Sequence, residues 1–164
     1  MIRVAVLSDT HGGLDNLHRL SALLGPVDWL LHAGDHMQDA QEIGSRLLVE
    51  PERVRAVVGN CDYPLREPVH QAFPIGDVTV YLTHGHLFGV KQGLERLYYK
   101  AKELSADVAI FGHTHVAYQA EWNGVLLLNP GSATAPRPYG QLPSCGLLEI
   151  EGREVRAQIL SLPG

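Results

Sequence analysis

The chain is punctuated five times in the same way. A short apolar run stops at a small residue or a turn, and a carboxylate, amide or imidazole follows at once. "IRVAVLS" (2–8) runs into Asp9-Thr10-His11, "DWLLHAG" (28–34) into Asp35, and "RVRAVVG" (53–59) into Asn60-Cys61-Asp62. "VTVYLTHG" (78–85) delivers His84 and then His86, and "ADVAIFG" (106–112) delivers His113-Thr114-His115. Short runs of this kind, rich in β-branched residues, read as buried strands. Segments with apolar residues at helical spacing lie between them. These are 14–24, stopped by Gly25-Pro26, then 40–48, and 91–104 with Leu94, Leu97, Tyr98, Ala101 and Leu104 on one face. Strands alternating with helices imply an α/β fold. In such folds the carboxyl ends of the strands form one edge, where ligands bind. Asp9, His11, Asp35, Asn60, His84, His113 and His115 are therefore expected to converge.

The later chain adds strands without helices. "VLLLN" (125–129) reads as a strand and 144–162 as a hairpin turning at Glu151-Gly152. These suggest a second sheet packed on the first. The Pro-rich segment 64–77 reads as an irregular surface connection. At 164 residues, 45% of them hydrophobic, the whole chain (1–164) is expected to be one domain with a substantial core. No apolar run approaches the roughly 18 residues of a membrane span. The first residues lack the features of a signal peptide, so a cytoplasmic location is expected. Two cysteines, Cys61 and Cys145, fit a reducing compartment. A net charge of −5 with 13 scattered basic residues weighs against a nucleic-acid partner. Homo-oligomerisation is left open.

Seven oxygen and nitrogen donors with no cysteine among them suit divalent first-row metals. Alternate residues of extended chain point the same way, so His113 and His115 can face one site. Seven donors exceed what one tetrahedral ion uses. They suit two ions about 3.5–4 Å apart, bridged by a carboxylate, which polarise a phosphoryl oxygen and lower the pKa of a shared water. The expected nucleophile is the resulting metal-bridging hydroxide. Manganese is the expected metal, with zinc, iron, nickel or cobalt as alternatives.

The ordered series Asp9-x-His11, Gly34-Asp35, Gly59-Asn60, His84 and Gly112-His113-x-His115 resembles the calcineurin-like metallophosphoesterases. "GNCD", "NPGSATAPR" and the small size resemble their compact bacterial and archaeal phosphodiesterase branch, which is itself similar to the small scaffold subunit of eukaryotic retromer. The resemblance implies a four-layer α/β/β/α sandwich of two mixed β-sheets flanked by helices. It implies a first metal held by Asp9, His11, Asp35 and His115. A second is implied on Asp35, Asn60, His84 and His113, with Asp35 bridging and Asn60 also approaching the substrate phosphate. Much of that family reads Gly-Asn-His-Asp/Glu, with the histidine protonating the leaving group, whereas this chain has Cys61 there.

Other polar residues have plainer readings. His32 reads as a hydrogen-bonded core histidine, His36 as structural or solvent-facing with a place at the mouth as its alternative, and His18 and His70 as surface residues. Asp62 either orients a neighbour or caps its turn. His86 is a candidate catalytic or phosphate-contacting residue as well as a structural one, and Arg137 a candidate substrate contact. "NPGSAT" (129–134) reads as a tight turn under the site. The expected function is hydrolysis of small phosphodiesters. A non-catalytic scaffold of the same fold and a phosphomonoesterase are the alternatives, and a nuclease would want a basic groove.

Overall fold

The computed structural model describes residues 1–12, 18–62, 68–138 and 140–162. Among these residues ten strands form two five-stranded sheets. The first sheet contains β1 (Ile2–Leu7), β2 (Trp29–His32), β3 (Val54–Ala56), β9 (Ser144–Glu151) and β10 (Glu154–Ser161), in the order β10-β9-β1-β2-β3. The second contains β4 (His70–Ile75), β5 (Val78–Thr83), β6 (Val108–Ile110), β7 (Tyr118–Trp122) and β8 (Val125–Asn129), in the order β4-β5-β6-β8-β7. Both sheets are mixed. β1, β2 and β3 are parallel, as are β5, β6 and β8, while β9, β10, β4 and β7 pair antiparallel.

Period-two alternation decides the layers. Val4 and Val6 of β1, Leu31 of β2 and Leu148 and Ile150 of β9 turn inward, against Val80 and Leu82 of β5, Val108 and Ile110 of β6 and Leu128 of β8. The intervening Ala5, Leu7, Leu30 and Leu147 face outward. They are covered by Leu20 and Leu24 of α1 (Leu20–Leu24) and Ile43 and Leu47 at α2 (Asp39–Arg46). On the far side Tyr81, Ala109, Phe111 and Leu127 are covered by Leu97 and Ala101 of α3 (Glu95–Glu103). The result is helix, sheet, sheet, helix, as the resemblance implied. Residues 144–162 form the expected hairpin. The helix expected over 14–24 is described only at its C-terminal end, since 13–17 lie outside the described residues. The helices expected over 40–48 and 91–104 are present in shortened form.

One expectation is overturned. Segment 64–77 is not irregular throughout, because residues 70–75 form β4, paired with β5. Pro74 lacks an N–H and argues against a central strand, but β4 lies at the sheet edge, where proline is tolerated. Buried Phe73 and Ile75 alternate with exposed Ala72 and Pro74, and the Phe73 ring stacks on Trp29 of the other sheet at 6.1 Å. Apolar burial of this alternating face outweighs the local proline signal. Strand β7, alternately half-buried and exposed, was not anticipated. Cys61 and Cys145 are both free thiols. Among the described residues no helix is long and apolar enough to cross a membrane.

Candidate metal centre

The parallel strands of both sheets deliver their following turns to one edge of the sandwich, and the donors meet there. One ligand atom each from Asp9, His11, Asp35 and His115 lies within 4.8 Å of the others. His115 Nε2 is 3.3 Å from Asp9 Oδ1, and His11 Nε2 is 3.7 Å from Asp35 Oδ2 and 3.4 Å from His115 Nε2. A second group adjoins it. Asn60 Oδ1 is 2.9 Å from His84 Nε2 and 3.0 Å from His113 Nδ1, and His84 Nε2 is 3.4 Å from Asp35 Oδ1. Asp35 thus presents one oxygen to each group. All seven expected donors come together.

The backbone is specialised to allow this. Asp9, His11, Asp35, His36, His113 and His115 all have φ between 48 and 70°, a left-handed conformation rarely taken outside glycine. Asp and His tolerate it better than most residues. Glycine is obligatory where backbone meets carboxylate. A Cβ on Gly59 would overlap Asp35, and one on Gly112 would overlap Ser8 and stand 2.7 Å from Asp9 Oδ2.

A layer of hydrogen bonds fixes the turns. Asp62 accepts N–H bonds from Asp35 (2.9 Å), His36 (2.6 Å), Met37 (3.1 Å) and Gly59 (2.9 Å). It therefore both orients a neighbour and caps its own turn. In the 129–134 turn, Ser132 Oγ donates to Asp9 O at 2.8 Å and Thr134 Oγ1 to Thr10 O at 3.0 Å. Asn129 Nδ2 donates to Gly112 O at 3.1 Å. The turn therefore clamps two of the donor loops from beneath. His36 and Thr10 both bond Asp39, through His36 Nδ1 at 3.0 Å and Thr10 Oγ1 at 2.5 Å. Asp39, Ser132 and Thr134 were not singled out individually from the sequence. A hydroxyl or carboxylate in a turn signals local capping, and nothing in it signals a bond to a loop elsewhere in the chain.

The electrostatics favour a cation. Asp9 Oδ2 accepts from Ser8 Oγ at 2.6 Å and from His113 N–H at 3.1 Å. Asp9 Oδ1 is buried with no hydrogen-bond partner. His84 Nδ1–H donates to Ala33 O at 2.7 Å and His115 Nδ1–H to Ala135 O at 2.6 Å. Both imidazoles are thereby held in the tautomer that leaves an Nε2 lone pair for the centre, His115 facing Asp9 Oδ1 at 3.3 Å and His84 facing Asn60 Oδ1 at 2.9 Å and Asp35 Oδ1 at 3.4 Å, the arrangement used to orient metal-ligating histidines. Lone pairs facing a carboxylate oxygen need a proton or a metal between them. Burial pushes the His84 pKa down, but the hydrogen bond to Asp35 and the charges of Asp9 and Asp35 outweigh it and raise the pKa. The Asp9 contact raises that of His115. Burial alone would lift the Asp35 carboxyl, yet His84 and the Cys61 N–H hold it below the usual carboxylate range. His113 is lowered to about 4 by burial and by the charge of His84.

The remaining candidates are placed as follows. His86 lies beside the centre, its ring 5.4 Å from that of His84, with a buried Nδ1 that has no partner. Burial lowers its pKa. The Cys61 N–H donates to Asp35 Oδ1 at 2.9 Å, and burial raises the pKa of its thiol. The Arg137 N–H donates to His115 O at 3.0 Å, which sets Arg137 at the rim. His70 is exposed, with its ring nitrogen 2.8 Å from Tyr81 Oη.

A model of the calcineurin-like phosphoesterase superfamily domain matches residues 2–153. The chain is 36% identical to a probable metallophosphoesterase of Bacillus subtilis, YsnB, over 83% of this chain and 78% of that one. It is 29% identical to the Escherichia coli K12 phosphodiesterase YfcE, over 99% of this chain and 100% of that one. Among solved structures it is similar to Vps29 of Entamoeba histolytica complexed with Zn²⁺. That match has a TM-score of 0.73 and 25% identity, and it covers 99% of this chain and 100% of that one.

His32 is a core histidine, as expected. The Gly34 N–H donates to its Nδ1 at 3.1 Å, so Nε2–H faces Thr10 Oγ1 at 2.9 Å. Burial lowers its pKa to about 4. Its folded-state pKa lies below the unfolded value, so the unfolded chain binds the extra proton first. The stabilising effect of the neutral ring is complete above about pH 6.5 and is lost as pH falls toward 4. In chelator, the wild type should lose stability across this window more steeply than His32→Asn. The difference should be on the order of 1 kcal/mol per pH unit, read from urea midpoints. Parallel profiles would contradict the assignment.

Proposed function

The chain belongs to the calcineurin-like phosphoesterase superfamily, and from that membership we propose that it is a two-metal phosphodiesterase acting on small phosphodiesters. The observation that carries this reading is the buried, unpartnered Asp9 Oδ1, with His115 Nε2 at 3.3 Å and His84 Nε2 at 3.8 Å, the latter turned toward Asn60 Oδ1 and Asp35 Oδ1. Asp9, His11, Asp35 and His115 would hold one divalent ion, and Asp35, Asn60, His84 and His113 the other. The two oxygens of Asp35, one toward each group, support a bridging role. The oxygen and imidazole donor set fits manganese, with zinc, iron, nickel and cobalt as alternatives. Two such ions supply Lewis acidity toward a phosphoryl oxygen and an acidified water.

The chain's own residues do the rest. The amide of Asn60, with Oδ1 turned into the donor group and one Nδ2–H donated to Cys61 Sγ at 3.7 Å, leaves its other Nδ2–H for a phosphate oxygen. The half-buried ring of His86 adjoins those of His84 and His113, which supports a role for it as a substrate contact. Arg137 stands on the loop bonded to His115 and reaches the substrate from the rim. No imidazole stands at position 61, and the raised thiol of Cys61 is a weak proton donor, so departure of the leaving oxygen depends on electrostatic stabilisation rather than on this residue. The similarity to phosphodiesterase YfcE supports the diester substrate class. The complete donor set favours catalysis over a scaffold role. We place the protein in the cytoplasm, without a nucleic-acid partner, and leave self-association open.

Metal-reconstituted protein should contain about two divalent ions per chain by elemental analysis. Asp35→Asn should lower both metal content and rate. The rate loss should exceed the roughly 10–100-fold that follows removal of a supporting hydrogen bond around a metal. A stoichiometry that never exceeds one ion in folded protein would refute the two-metal reading, and a variant of unchanged content and rate would refute the bridge.

A screen of aryl phosphodiesters and phosphomonoesters against several metals tests the reaction class. Diesters should be the better substrates and manganese should support the fastest turnover. A monoester preference would move the assignment to phosphomonoesterase, and no turnover with any metal would favour the scaffold reading.

A further inference from the structure

Beside the donors the wall of the site continues into a cavity of about 600 Å³. Val90, Leu94, Phe111 and Tyr118 supply an apolar lining, and Thr114, between His113 and His115, belongs to it as well. Cavities of about 300–1,000 Å³ hold whole small-molecule ligands. This one is therefore much larger than a phosphoryl group requires. The same lining includes two exposed cations, Lys91 and Arg137, which come from separate parts of the chain. Among the described residues neither side chain has a hydrogen-bond or ion-pair partner. Both adjoin the centre: Arg137 through its N–H bond to His115 O, and Lys91 by lining the same cavity as Thr114, the residue between His113 and His115. An apolar wall suits a ring, and two unpaired cations at one cavity suit an anion.

We propose that this cavity seats one arm of the diester, and that the arm is a ring-bearing, nucleoside-like body ending in a second phosphate held by Lys91 and Arg137. The assignment rests on the phosphodiesterase reading above. It separates the reacting phosphoryl group, at the donor cluster, from a recognition phosphate that does not react. Lys91 and Arg137 then set specificity without taking part in bond breaking.

The test compares three substrates with one leaving group: methyl p-nitrophenyl phosphate, thymidine 5′-(p-nitrophenyl phosphate), and the latter bearing a 3′-phosphate. Calorimetric Kd values for thymidine 3′,5′-bisphosphate and thymidine 5′-monophosphate give a readout independent of turnover. The wild type should favour the 3′-phosphorylated member of each pair by about tenfold, the scale of one charge-assisted contact. Lys91→Gln and Arg137→Gln should each shrink that ratio, and melting temperatures would show that both variants are folded. Turnover of all three substrates with no preference for the added phosphate would overturn the cavity assignment and leave the phosphodiesterase reading standing. A bisphosphate preference lost in the variants, with no diester turned over, would uphold the cavity as a ring-and-phosphate site and overturn the hydrolytic reading. A wild-type preference unchanged in both variants would overturn the roles of Lys91 and Arg137.

Discussion

Two carboxylates, Asp9 and Asp35, are buried with ligand oxygens within 4.8 Å of each other, and the surrounding structure exists to hold them there. Like charges at that distance in a low-dielectric interior repel strongly unless a cation lies between them. Without metal, protons serve in part. The raised pKa values of His84 and His115 describe imidazoles that take up a proton because carboxylates face them. A divalent ion satisfies the same field with more charge, taking the Nε2 lone pairs as ligands in place of protons. The site is thus preorganised for cations before any arrives.

That preorganisation carries a cost in backbone strain. Six of the nine non-glycine residues with left-handed φ among the described residues lie in the donor loops. Such conformations are destabilising by about 1–3 kcal/mol each and persist only where the surroundings impose them. Here the surroundings are identifiable. Four backbone N–H groups converge on Asp62, and the 129–134 turn grips the Asp9 loop through Ser132 and Thr134. The two stacked sheets bring these parts together. β1, β2 and β3 end at the same edge as β5, β6 and β8, so residues more than a hundred positions apart become neighbours.

The donor set was legible in the sequence because its signal is local and repeated. An apolar run ending in glycine and then Asp, Asn or His conveys both the strand and its exit. The buried strands were legible for a similar reason, since β1, β5 and β6 are continuous apolar runs, as strands covered on both faces are, and the late strands without helices pointed to the second sheet. The supporting shell was not. Asp39 reads as an ordinary helix-start carboxylate, and only the folded chain brings it to Thr10 and His36. β4 was hidden by Pro74, whose meaning depends on whether the strand is central or at an edge, a property of the sheet and not of the segment. β7 is short, with no fully buried residue, and so lacks the apolar pattern of its neighbours. Lys91 lies in a segment that reads as a charged helix start, and its significance comes from the cavity it shares with Arg137.

The account stands or falls on two cations sharing Asp35. The most direct measurement is anomalous diffraction from crystals of the manganese-loaded protein. The account predicts two anomalous peaks per chain, one among Asp9, His11, Asp35 and His115 and one among Asp35, Asn60, His84 and His113, with Asp35 touching both. One peak at full loading, or two peaks without Asp35 between them, would contradict it.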